Sequence, residues 1–113
     1  MSPEKIVHKM MSNDLFSKWL GIKIISIKKG YCKLSSTISK EMTNGFNLAH
    51  GGIWYSIADS CFAFTANSLG KISLTKSAEI RYLKKLELND TIFAECKQNQ
   101  KDSSLFTVNI FNQ

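Results

Sequence analysis

Residues 44–67 read NGFNLAHGGIWYSIADSCFAFTAN. From Ile53 to Ala66 the apolar residues fall on nearly every side of a 3.6-residue wheel. That pattern predicts a helix wrapped by the rest of its protein. One charge, Asp59, interrupts the run. A carboxylate enters such a place only with a partner or a task. Just ahead of the helix stand His50, Gly51 and Gly52. Two successive glycines let another group come close to the backbone.

Taken singly, each of these residues has a structural reading. His50 can cap a loop, the glycines can form a turn, and Asp59 can pair with a lysine in a core. As a set, with Asn44 upstream, they suit attack on a carbonyl. Glycines at a helix start present free N–H groups at the positive end of the helix dipole, where an oxygen gaining negative charge is held. Asn44 is a second hydrogen-bonding group, and Asp59 is a base or a nucleophile. Eight residues of helix separate Gly51 from Asp59, about 12 Å along the axis. One small carbonyl cannot touch both within one subunit. A shared reaction centre therefore implies a symmetric dimer with two composite sites.

The pattern N-x5-H-G-G-x7-D at the head of a buried helix resembles the hotdog-fold acyl-CoA thioesterases, in particular their phenylacetate-degradation (PaaI-like) branch. Gly21-Ile22-Lys23-Ile24 and Gly30-Tyr31-Cys32-Lys33-Leu34 look like that family's first hairpin. Thr75 to Leu83 looks like its strand after the helix, and Leu88-Asn89-Asp90 stands where the family usually has Gly-Asp. The resemblance runs from about Leu20 to Gln113. It departs at Lys85, where the family often has proline, and at the end, where the family usually has one more strand after the one ending near Phe111. It implies an antiparallel sheet around the helix, a homodimer or dimer of dimers, an acyl-CoA substrate and no cofactor. It also implies a role for each site residue. Gly51 N–H faces the thioester oxygen, with Gly52 beside it, and Asn44 holds the water or the carbonyl. Asp59 of the partner subunit acts as general base or attacks directly. His50 positions the loop, and Thr75 supplies a supporting hydroxyl. Phe46, Trp54, Tyr55 and Phe62 are candidates for an acyl or aryl pocket, with core or dimer interface as the alternative. Arg81, Lys84 and Lys85 are candidates for the CoA phosphates, with a solvated basic edge as the alternative. A non-catalytic acyl-CoA-binding or regulatory module of the same fold is the competing function.

Composition narrows the field further. The chain has 113 residues, enough for one domain with a modest core. An apolar share of 43% with 21% charged residues describes an ordinary soluble globular protein. No apolar run approaches the roughly 20 residues of a membrane span, and no signal peptide is evident at the start. Cys32, Cys61 and Cys96 are widely spaced without a C-x-x-C, and His8 is far from His50. This argues against a zinc site and for a reduced, cytoplasmic setting. The net charge of +6 favours anionic partners. Arg81 is the one arginine, and no motif for nucleic acid accompanies the charge.

The remaining elements follow from caps, alternation and turns. Ser2-Pro3 starts a short helix reaching about Met11, and Ser12 or Asn13 caps a second turn that Gly21 ends. Ile22–Lys28 and Tyr31–Ser39 alternate as a hairpin through Lys29-Gly30, with a loop over Glu41–Leu48. After the helix closes at Ser68-Leu69-Gly70, three strands are expected: Ser73–Leu83, Asp90–Gln98 and Ser104–Phe111. The resulting class is α+β.

Overall fold

The computed structural model describes residues 1–112. Ser2 caps helix α1 (Pro3–Asn13), its side chain accepting from the Lys5 amide, and Pro3 fills the first turn. The next helix, α2 (Leu15–Trp19), is capped not by Ser12 or Asn13 but by Asp14. The Asp14 carboxylate reaches the Ser17 amide at 2.9 Å, whereas the Asn13 side chain turns back to the Lys9 carbonyl. Strand β1 (Lys23–Lys28) and strand β2 (Tyr31–Thr37) then form the expected hairpin, with a register shift between Ile24 and Ser26. Gly30, at φ +76°, supplies the left-handed turn residue.

A 3₁₀ turn at Lys40–Met42 leads to helix α3 (Gly51–Asn67). Two strands follow, β3 (Thr91–Gln98) and β4 (Phe106–Asn112). The four strands make one antiparallel sheet in the order β1-β2-β3-β4. Strand β4 starts later than expected because Asn99 to Leu105 is a closed turn. The Asn99 side chain accepts from the Lys101 and Asp102 amides, and the Asn99 amide donates to the Leu105 carbonyl.

Helix α3 lies on one face of the sheet. Ile53, Ile57, Cys61 and Phe64 form its buried stripe and meet Cys32, Leu34, Ile92, Ala94 and Cys96 of β2 and β3. Small sheet residues let the helix sit close, and the Cys61 thiol reaches the carbonyls of Cys32 and Ala94 at 3.5 and 3.6 Å. Val7 of α1 and Leu20 complete this core.

Two expectations are corrected here. The helix is not wrapped on every side within one chain, and Asp59 is exposed. Asp59 stands two positions from both Ile57 and Cys61, about 200° around the wheel, which turns it away from the sheet. No strand forms at Ser73–Leu83. Those residues run back along α3 without ladder bonds: Ser73 is bonded to Asn67, Thr75 to Asp59 and Tyr82 to Gly51. The segment is clamped to the helix by side chains, so it adds no strand to the sheet. Strand β4 is outermost, and its outer edge has no ladder partner among the described residues.

Candidate active site

The head of α3 is built from local hydrogen bonds that the sequence dictates. His50 is the N-cap: its extended backbone brings Nδ1 within 3.0 Å of the Gly52 amide, which donates to it. The His50 amide donates to the Met42 carbonyl at 2.8 Å, tying the cap to the 3₁₀ turn. An Nδ1 that accepts leaves Nε2 to carry the proton of a neutral ring. His50 therefore acts as a structural cap. The Gly51 N–H, at the first helical position, meets no acceptor among the described residues. It points out at the positive end of the helix.

Asn44 organises the loop before the helix. Its Oδ1 accepts from the amides of Phe46 and Leu48 at 2.9 and 3.3 Å, and its own amide donates to the Leu48 carbonyl at 2.7 Å. Asn47 takes the left-handed conformation at φ 60°, which asparagine tolerates. The Asn44 side-chain NH₂ is the part left to meet a ligand. From the other side, the Ala49 amide donates to the Leu86 carbonyl at 2.7 Å and anchors the loop.

Asp59 sits two turns along the same helix. The Thr75 hydroxyl donates to Asp59 Oδ1 at 3.0 Å. One carboxylate oxygen is thus oriented. Half-buried Gly51 and exposed Asp59 lie about 12 Å apart along the axis of α3.

The thiols nearby are poor nucleophiles. Burial pushes the Cys96 thiol up to about 11, and the bond to Cys32 together with burial pushes Cys61 far up. All three cysteines are buried free thiols. No group of residues suited to hold a metal ion occurs among the described residues, nor any helix long and apolar enough to cross a membrane.

The aromatic candidates scatter. Phe46 is 83% exposed at the loop tip. Trp54 packs edge-on to Tyr82 at 6.1 Å, and Phe62 packs against Phe106 at 5.1 Å. Tyr55 faces outward beside Asp59. A groove of about 340 Å³ does open at the helix head, lined by Phe16, Trp19, Glu41, Met42, His50 and Gly52 among others. Phe16, Trp19, Glu41 and Tyr82 were not singled out in the sequence. The aromatic pair three positions apart was the available signal. Arg81 and Lys85 lie on the exposed segment beside α3, at 3.7 Å from Glu79 and 3.3 Å from Glu87, with Lys84 exposed between them.

Known proteins share this fold. The family model described as "Thioesterase superfamily" matches residues 46–112, more than half the chain. The acyl-coenzyme A thioesterase PaaI of Escherichia coli is 33% identical over 108 residues, covering 94% of this chain and 77% of its own length. The solved structure of the E. coli PaaI protein from the phenylacetic acid degradation operon superimposes with a TM-score of 0.89 at 31% identity, covering 98% of this chain and 82% of that one. The smu.793 protein of Streptococcus mutans, solved bound to acetyl CoA, superimposes with a TM-score of 0.76 at 24% identity, covering 81% and 76%. Sheet, central helix and family match agree: this chain is a hotdog-fold protein and belongs to the thioesterase superfamily.

Proposed function

We propose that the chain hydrolyses the thioester of an acyl-CoA to the free acid and CoA, at a site shared between two subunits. One observation carries the reading. The free Gly51 N–H at the head of α3 and the exposed Asp59 carboxylate two turns along it are too far apart to serve one carbonyl. Packing two α3 helices antiparallel about a two-fold axis brings each Asp59 toward the other's Gly51.

In that arrangement the Gly51 N–H receives the thioester oxygen, and the Asn44 NH₂ holds the water or the carbonyl. Asp59 of the partner subunit takes a proton from water as the water oxygen attacks the carbonyl carbon. The tetrahedral oxyanion is stabilised at the helix start. It collapses with cleavage of the C–S bond, and the CoA thiolate leaves and is protonated. In the alternative route Asp59 attacks the carbonyl itself, CoA leaves, and water opens the resulting anhydride. Thr75 orients the carboxylate in both routes. Single turnover in H₂¹⁸O separates them, since only the anhydride route can place label in Asp59.

Arg81, Lys84 and Lys85 supply positive charge for the CoA phosphates. The E. coli relative is named as an acyl-CoA thioesterase, and the S. mutans relative was solved with acetyl CoA, which supports this substrate class. We further propose a homodimer, paired into a dimer of dimers, in a reducing cytoplasmic setting that suits three buried free thiols.

The test is release of free CoA thiol from a panel of aryl- and fatty acyl-CoAs, wild type beside Asp59→Asn. The variant keeps the shape and the exposed surface, so it folds, and kcat falls by about 10²–10⁴. Equal rates would make Asp59 structural. CoA binding without turnover of any thioester would favour a non-catalytic acyl-CoA-binding module.

A further inference from the structure

The groove at the head of α3 has two features that the hydrolysis itself does not use: a flat aromatic wall and a lone carboxylate at its rim. The wall is α2. Phe16 and Trp19 stack with ring centroids 6.0 Å apart and planes 8° from parallel. They are 53% and 50% exposed, so the pair turns an apolar face to the groove and to solvent. Exposed aromatic surface of this kind marks a place that receives something.

The wall is rigidly held. A five-residue helix has no stability of its own. Ser17 fixes it: fully buried, its hydroxyl bonds Asp14 at 2.6 Å and the Ser60 hydroxyl of α3 at 2.8 Å. The Leu20 carbonyl that follows accepts from the buried Ser36 hydroxyl at 2.6 Å. These bonds set the aromatic pair at a fixed place against the first turns of α3, where Gly52 and Ser56 line the same groove.

Charge decides which end of the substrate enters. Glu41 lines the groove and belongs to no ion pair among the described residues. Its carboxylate repels the phosphates of CoA, while Arg81, Lys84 and Lys85, exposed on the segment that Tyr82 ties to Gly51, do not line the groove. The groove is therefore the place of the acyl group. Its volume of about 340 Å³ is at the small end for a ligand site and suits a single ring or a short chain.

We propose that Phe16 and Trp19 bind the distal end of the acyl group, and that Glu41 is a charge filter that turns away acyl groups ending in a carboxylate. This rests on the thioesterase reading above and adds a substrate class to it: uncharged acyl groups. None of the three residues touches the reacting bond. They act through binding and so determine specificity.

The test compares hexanoyl-CoA with adipoyl-CoA, which have the same chain length and differ by a terminal carboxylate, with acetyl-CoA as a substrate too short to reach the wall. Wild type is expected to prefer hexanoyl- over adipoyl-CoA by at least tenfold in kcat/KM. Glu41→Gln is expected to raise kcat/KM for adipoyl-CoA about tenfold and to leave hexanoyl-CoA within twofold, and Glu41→Lys is expected to raise adipoyl-CoA further. The double variant Phe16→Ala, Trp19→Ala is expected to lose about tenfold or more on hexanoyl-CoA, mainly through KM, with acetyl-CoA unchanged. The milder pair Phe16→Leu, Trp19→Leu retains the apolar surface and guards against a folding defect. An equal fall on all three substrates, or an adipoyl rate indifferent to residue 41, would overturn the proposal while the thioesterase reading stands. No hydrolysis of any thioester by wild type would overturn both.

Discussion

In the proposed mechanism the chemistry turns on Gly51, because its N–H is the donor left free at the head of α3 among the described residues. The backbone offers a clean way to delete that donor. Proline is favoured at the first helical position, and the preceding His50 already has the extended conformation that proline requires (φ −60°, ψ 142°). A Cβ at this position meets only Tyr82 atoms at ordinary contact distances of 3.5 Å and more. Gly51→Ala should therefore keep both fold and N–H, with activity close to wild type. Gly51→Pro should keep the fold and lose about 10²–10³ in kcat, as expected for one oxyanion donor. His50 gives the converse prediction. Removing the cap with His50→Ala should cost about 0.5–2 kcal/mol in a denaturant titration, and His50→Asn should restore most of it without restoring an imidazole. If His50→Asn were as unstable as His50→Ala, the imidazole would have a role beyond capping. The spacing of Asn44, His50, Gly51 and Asp59 was legible in the sequence because it is local. The exposure of Asp59 was not, because the high apolar content around the whole wheel hid which stripe faces the sheet.

Among the elements, the hairpin, the central helix and the last two strands were legible in alternation and turn residues. The segment Ser73–Leu83 was not. Its β-branched and aromatic residues have strand propensity, but a strand needs a neighbouring edge to pair with, and no propensity encodes that. Here the side chains of Asn67, Asp59 and Tyr82 clamp the segment along α3. The far face of the sheet carries a separate, testable feature. Burial and a 2.6 Å bond to Glu95 raise the Tyr31 phenol to about 12, and the same bond lowers Glu95 below its ordinary value. A raised phenol pKa stabilises the fold while the ring is protonated. That contribution is whole below the ordinary value of 10.0 and disappears as the pH rises to about 12. The lowered Glu95 works oppositely: its contribution is present above the ordinary value of 4.5 and fades as the pH falls through the folded value. Absorbance titration should show Tyr31 ionising near 12, and Glu95→Gln should move it part of the way back while burial holds the remainder. An unchanged titration in Glu95→Gln would assign the shift to burial alone.

On the scale of the whole molecule, one side of the protein is unfinished. Tyr55 and Tyr82 are half exposed, and Ile72, Leu74 and Leu83 are almost bare at 94%, 88% and 85%. Tyr55 is on α3, and the others lie on the segment after it, which Thr75 and Tyr82 bond to Asp59 and Gly51. Exposed apolar surface of this kind supports the dimer proposed above. The proposal of a dimer rests in the sequence on one length, the rise of eight helical residues, whereas the apolar surface proposed to form it is visible only in three dimensions. In the proposed dimer each site takes Gly51 from one subunit and Asp59 from the other. Mixing Gly51→Pro subunits with Asp59→Asn subunits, under conditions where subunits exchange, tests this directly. Each variant alone has two broken sites. A mixed dimer has one site with both defects and one with none, so an equimolar mixture should recover about one quarter of wild-type thioester hydrolysis. A mixture that exchanges subunits, as mass spectrometry of the mixed dimer would show, and still stays as inactive as its parents would contradict the shared site.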